Sequence, residues 1–305
     1  AANDEYRRAF AADCDRVVKE FALDGIDIDW EYPTSSMANI SSSPDDTENF
    51  TLLMQDIRAA IGNEKELTLA TVASARYIDF KAILPSVDFV NIMAYDMASA
   101  PKHHSALYPS GHSGDITSDG AVTAHLKAGV PPSKLVMGMP FYGRGGDGYP
   151  SFQDYNKVGN TDTQYTEKWD EVAQVPYLAD KNDTLVFGFE NPRSLAIKCQ
   201  YILDKDLLGG MYWDYSGDNE QGDLRRTVAR KPIGQAAQGE GTGVDGTWRT
   251  ARRIYGCRFE VVSGRRCKGE FQYYRDKQCQ EHNGGLLVAV QPGYSIGFPA
   301  LYLAE

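Results

Sequence analysis

No apolar run in this 305-residue chain approaches the ~20 residues a membrane-spanning helix needs, so no such span is expected. Cysteine is scarce, with five in all. Three of them, Cys257, Cys267 and Cys279, crowd into the C-terminal stretch without the C-x-x-C spacing of zinc sites. An odd count cannot pair completely, which also argues against a disulfide framework. Cys14 and Cys199 fall on apolar helix faces and read as core. His103, His104, His112, His125 and His282 form no ligand pair on one face, and no metal or cofactor is expected. Positive charge is in deficit: 31 Lys and Arg against 42 Asp and Glu give a net charge of −11. That balance disfavours nucleic acid and anionic membranes as partners. Present in quantity are hydrophobic residues, at 42%, enough for one sizeable core.

The most informative stretch is Asp24-Gly-Ile-Asp-Ile-Asp-Trp-Glu-Tyr-Pro33. Ile26, Ile28 and Trp30 alternate strictly with Asp27, Asp29 and Glu31. Period two is the signature of a β-strand, so three carboxylates share one face and three large apolar groups the other. Cα atoms two residues apart on a strand are ~6.6 Å apart, close enough for neighbouring carboxylates to interact. Such a row costs stability unless it binds a cation or performs chemistry. A solvated edge strand would not need Ile, Ile and Trp on its other side. A magnesium or calcium site would suit clustered carboxylates, but no further Asp or Asn cluster at ligand spacing follows. Acid catalysis on a sugar fits best, because the acids end the strand just before Pro33, where parallel α/β proteins place active sites.

Elsewhere, strands alternate with helices. A helix is predicted over 4–22 with Asn3 as N-cap and Tyr6, Phe10, Cys14, Val17 and Phe21 on its inner face. A second opens at Ser43-Pro44, turns Phe50, Leu53, Met54, Ile57 and Ile61 inward, and stops at Gly62. A third begins at Asn191-Pro192, with Leu195, Cys199 and Ile202 inward. Strands are predicted at 67–72, 88–94, 135–141 and 210–213. This order argues a parallel sheet.

The acidic stretch resembles the D-x-x-D-x-D-x-E signature of glycoside hydrolase family 18, the chitinases and their relatives, at Asp24, Asp27, Asp29 and Glu31. Asn91-Ile-Met-Ala-Tyr-Asp-Met97, Met137-Gly-Met-Pro-Phe-Tyr-Gly-Arg144 and Gly209-Gly-Met-Tyr-Trp-Asp214 are similar to that family's sixth, seventh and eighth strands, in the same order. The resemblance covers roughly residues 1–232. It implies an α/β (β/α)8 TIM barrel of which only strands four to eight are recognisable. The first three strand–helix units, with a Ser-x-Gly-Gly motif on the third, have no counterpart, so the sequence reads as N-terminally truncated, and a fragment of this kind is expected to fold poorly or be inactive.

The resemblance implies hydrolysis of chitin or N-acetylglucosamine oligosaccharides. Glu31 would be the general acid, its pKa raised by burial and by Asp29. Asp29 would orient the substrate's 2-acetamido group, Asp27 would share its proton, and Tyr95 would donate to the acetamido carbonyl. Trp213 would floor the sugar site and Asp96 would bond the substrate near the scissile linkage. Met93, Tyr32, Tyr142 and Arg144 would line the groove, although Arg144 could equally pair with a carboxylate. A chitin-binding lectin without turnover, and an endo-β-N-acetylglucosaminidase, remain open. An insoluble polymer substrate implies secretion, and the chain is expected to act as a monomer.

Residues 145–190 read either as a shortened α+β insertion or as a long loop with a hairpin at Leu185 to Phe189. Residues 233–247, rich in Gly, Gln and Ala, read as a linker. Beyond it, residues 248–305 carry nine basic and five acidic side chains, a net of +4 against −15 before them. This basic, Cys-containing tail matches no sugar-binding module.

Overall fold

The computed structural model describes residues 1–146, 148–158 and 164–230, together with the backbone of three short strands from the tail. The chain begins with helix α1 (Asp4–Glu20), followed by β1 (Gly25–Ile28), α2 (Asp46–Ile61), β2 (Glu66–Val72), the single turn α3 (Phe80–Ile83), β3 (Phe89–Met93), α4 (Ser118–Lys127) and β4 (Leu135–Pro140). An antiparallel segment comes next: β5 (Tyr142–Gly145), β6 (Gln153–Asp154), β7 (Thr166–Asp170), β8 (Val175–Ala179) and β9 (Leu185–Gly188). Helix α5 (Pro192–Asp204), β10 (Gly209–Trp213) and α6 (Asp223–Arg230) complete the main body. The tail contributes β11 (Arg253–Cys257), β12 (Leu287–Val290) and β13 (Leu301–Leu303).

Strands β1, β2, β3, β4 and β10 pair in parallel, each beside the next in that order. These are the five expected strands, and helices separate them as parallel crossovers require. Among the described residues the sheet does not close on itself. Its two edges are instead paired by tail strands: β11 runs parallel beside β10, β12 parallel beside β1, and β13 antiparallel to β12. The tail thus joins the sheet through backbone bonding. The predicted linker, Cys267, Cys279 and His282 lie outside the described residues.

Local chemistry explains the helix ends. The Asn3 side chain accepts from the Tyr6 backbone N–H and starts α1. Gly62, at φ 76°, ends α2 in a conformation that a side chain would resist. Asn191 and Ser194 form a capping box on α5. The inner face of α1 departs from expectation in one respect. Tyr6 is exposed, and Arg7 turns inward instead, bonding Asp56 of α2 and Asp4. A two-carboxylate clamp makes burial of the guanidinium tolerable and fixes α1 on α2.

Residues 145–190 form no plain loop. Strands β5 to β9 make a five-stranded antiparallel sheet in the order β6-β5-β9-β8-β7, and the stretch from Leu185 to Phe189, expected to hold a hairpin by itself, supplies only strand β9, which pairs with β8. At its junction with α5, Lys198 and Glu190 form a fully buried ion pair. Lys198 also donates to the Ser105 carbonyl oxygen (2.5 Å), and the Ser105 hydroxyl donates to Glu190 (2.6 Å). This network locks the small sheet to the loop after β3. Among the described residues no helix is long and apolar enough to cross a membrane.

Candidate active site

The two faces of the parallel sheet have opposite characters. Ile26, Ile28 and Trp30 sink into the main core with Leu67, Leu69, Val90, Ile92 and the helix side chains Val17, Phe50 and Leu53. Trp30 meets Phe50 edge-on, with ring centroids 5.7 Å apart. The opposite parity faces inward. Regular strand structure stops at Ile28, earlier than predicted, so Asp29 and Glu31 project from the chain just beyond the C-terminal end of β1.

Burial lessens along the acid row. Asp27 is buried, and its Oδ1 accepts from the Thr68 hydroxyl (2.5 Å) and the Asn91 amide (3.0 Å). Both donors come from neighbouring strands, and the β1–β2 register sets Thr68 directly beside Asp27. Asp29 and Glu31 are half-buried. Asp29 Oδ1, however, is shut away from solvent with no hydrogen-bond partner among the described residues.

Burial raises the proton affinity of all three. For Asp27 the hydrogen bonds from Thr68 and Asn91 oppose the shift. Asp29 is pushed well above the carboxylate range by burial, then by the charges of Glu31 and Asp27. Glu31 is raised by burial and also by Asp96, against a hydrogen bond from Tyr32. The charge of Glu31 thus raises Asp29, whereas the charge that raises Glu31 is that of Asp96 and not, as expected, that of Asp29. A row of this kind holds protons at a pH where isolated carboxyls would have lost them.

Further side chains with predicted roles come from β3, β4 and β10 and the residues that follow them. Phe89, Val136 and Met211 form a small apolar cluster against which Met93 and Tyr95 pack. The Tyr95 hydroxyl lies 4.0 Å from Met211 Sδ. Gly138 makes that approach possible: a Cβ there would fall 2.8 Å from Tyr95 Cε1, 2.8 Å from Met211 Cε and 2.5 Å from the Ile92 carbonyl oxygen. Trp213 closes β10, half-buried, in register with Pro140.

Asp96 follows Tyr95 at φ 55°, an unusual backbone for a residue with a side chain. Arg144 grips it with two parallel bonds, Nε to Oδ1 at 2.7 Å and Nη2 to Oδ2 at 2.5 Å. Burial would raise the Asp96 pKa, but Arg144 and His104 outweigh it and hold this carboxyl well below the usual range. Arg144 thus pairs with a carboxylate and stands at the site as well. Tyr142, buried, lies edge-on to Tyr95 at 6.1 Å. On the other flank Tyr32 stacks on Tyr77, with centroids 5.6 Å apart.

Sequence reasoning missed Thr68, Asn91, His104, Met211 and Tyr77. Asn91 shared a parity with Met93 and Tyr95 and could have been found that way. Thr68, a hydroxyl between Leu67 and Leu69, gains its meaning only from register. Among the described residues no group of three His, Cys, Asp or Glu side chains could hold a metal ion. A cavity of about 650 Å³ lined by Tyr155, Glu167, Asn191 and Asp218 contains none of the site residues, so volume alone does not mark the chemistry.

Known proteins supply an independent comparison. A family model described as glycosyl hydrolases family 18 matches residues 1–218. Chitinase A1 of Niallia circulans is 32% identical over 286 residues, spanning 77% of this chain and 40% of that protein. Chitinase B of Serratia marcescens is 26% identical, spanning 73% of this chain and 60% of its own length. The chain therefore spans about half the length of these relatives. Among solved structures, a family 18 N-acetylglucosaminidase from Paenibacillus barengoltzii superposes with a TM-score of 0.69 at 30% identity, over 75% of this chain and 76% of that one. An Ostrinia furnacalis Group IV chitinase in complex with allosamidin gives 0.66 at 27% identity, over 75% and 73%. The five parallel strands are accordingly consecutive staves of a (β/α)8 fold.

Proposed function

The chain belongs to glycosyl hydrolases family 18, and from that premise we propose that it hydrolyses the β-1,4 linkages of chitin or N-acetylglucosamine oligosaccharides, with retention of configuration. The observation that carries this reading is the graded row Asp27, Asp29, Glu31 at the end of β1, its proton affinities raised by burial.

Most retaining glycosidases use a second carboxylate as nucleophile, and family 18 is a substrate-assisted exception. Glu31, its proton affinity raised by burial, gives its proton to the glycosidic oxygen. The sugar's own 2-acetamido oxygen attacks the anomeric carbon and forms a cyclic cation. Asp29 accepts a hydrogen bond from the acetamido N–H and balances the charge that develops. Asp27, fixed by Thr68 and Asn91, backs Asp29 and takes up part of its proton load. The Tyr95 hydroxyl donates to the acetamido oxygen, and Trp213 offers a flat face to the sugar. Glu31 then removes a proton from water, which opens the cation. The nucleophile is already attached to the substrate, so little translational entropy is lost at this step. Asp96, held by Arg144, bonds the substrate near the linkage, and Tyr32, Met93 and Tyr142 line the groove. An insoluble substrate requires a secreted enzyme, and one such chain carries a complete acid row, consistent with action as a monomer.

The test is turnover of chromogenic chitobiose by the parent and by Glu31→Gln. The variant is expected to lose ~10²- to 10⁴-fold in kcat while still binding oligosaccharide. Equal turnover by the variant would end the acid assignment, and binding without turnover by the parent would make the protein a lectin.

A further inference from the structure

Alone among the acids of the site, Asp96 sits at positive φ, 55°, a conformation that a residue with a side chain keeps only when its surroundings impose it. His104, eight positions on, supplies that constraint. The Asp96 backbone N–H donates to His104 Nδ1 (3.5 Å), and the same nitrogen stands 3.5 Å from Asp96 Oδ1. The Met97 N–H donates to the His104 carbonyl oxygen (3.0 Å). One residue thus meets the peptide on each side of Asp96 and its carboxylate as well. Arg144 fixes the two carboxylate oxygens, whereas His104 fixes the backbone that carries them. His104 is itself anchored. Its ring packs against Tyr142, with centroids 5.4 Å apart, and the next residue, Ser105, is held by Lys198 and Glu190. Exposure separates the two roles: the Asp96 side chain is 40% exposed and can meet a substrate, and that of His104 is 1% exposed and cannot. His104 Nε2 is shut away from solvent with no hydrogen-bond partner among the described residues. An apolar side chain would fill this space without that cost, so packing alone does not account for a histidine here.

Resting on the family reading above, we infer that His104 is a positioning residue for the reaction: it holds Asp96 in the backbone conformation that presents its carboxylate to the substrate, without touching the sugar itself. The test measures kcat/KM on chitotetraose for the parent, His104→Leu and His104→Asn. Leucine and asparagine share a skeleton and differ in the polar atoms that can reach Asp96. His104→Leu is expected to lose ~3- to 10-fold, the size of one hydrogen bond, and His104→Asn to regain most of it. The leucine change is then repeated beside Asp96→Gly, which removes the carboxylate and suits a positive φ. There it should cost less than ~2-fold, because nothing is left to position. Should His104→Leu fail to fold, His104→Phe, which keeps a ring against Tyr142, takes its place. Equal losses in the leucine (or phenylalanine) and asparagine variants, or the full loss repeated beside Asp96→Gly, would show that His104 only fills space and would overturn the inference while leaving the family reaction standing. A parent inert towards chitotetraose would overturn the proposed function, and this inference with it.

Discussion

Replacing Asp29 by Asn should make this protein more stable and less active at once. Asp29 keeps one carboxylate oxygen out of solvent without a hydrogen-bond partner among the described residues, between two further acids. Asn removes the charge, and each unit by which the native pKa exceeds the unfolded one is worth about 1.4 kcal/mol at neutral pH, which for a body of this size corresponds to roughly 3–6 °C in melting temperature. The gain must depend on pH in a defined sense. The native pKa of Asp29 lies above its unfolded value, so between the two the folded chain holds a proton that the unfolded chain has released. The contribution of Asp29 to stability is therefore fully present below the ordinary carboxyl pKa and is lost as pH rises through the native one. Thermal melts of the parent and Asp29→Asn across a pH series should diverge towards neutrality and converge on acidification. Turnover of the variant should fall by ~10²-fold or more, because the amide cannot balance a developing cation. A variant no more stable than the parent at neutral pH, or a gap that widens in acid, would refute the account of the row as a stored electrostatic cost.

Two further outcomes follow from other parts of the molecule. Lys198→Met should destabilise by about 3–5 kcal/mol in chemical denaturation, because it strands Glu190 in the interior, and a second change, Glu190→Gln, should recover most of the loss. An additive double variant would show that the pair does not act as a unit. Ending the chain at residue 230 should bare the edges of β1 and β10 that β12 and β11 cover, giving concentration-dependent association in light scattering. A monodisperse product with an unaltered melting temperature would show that the tail strands contribute nothing to the sheet.

The acid row, the alternation of strands and helices and the caps at Asn3, Gly62 and Asn191 were legible because each depends on neighbours within a few residues. Period two tells which face a side chain takes, and it correctly set Ile26, Ile28 and Trp30 against Asp27, Asp29 and Glu31. It cannot tell which residue of another strand lies alongside. Thr68 and Asn91, the donors that hold Asp27, therefore went unread until sheet order and register were known. The choice of Arg7 over Tyr6 on α1 turned on Asp56, 49 positions away. The pairing of Arg144 with Asp96 likewise joins side chains 48 positions apart. The tail's strands were invisible because short segments beside basic clusters carry no periodic signal long enough to separate them from coil.

The absent side chain at Gly138 carries a lesson about how such a catalyst could fall silent. One methyl group at that position would collide with a ring, a thioether and a carbonyl oxygen together, and the ring is the softest of the three to displace. Tyrosine 95 would swing aside while every acid stayed in place. A descendant bearing that single change would keep an intact signature on paper and hold a sugar it could no longer align, so the empty space beneath Tyr95 is as much a working part as the carboxylates.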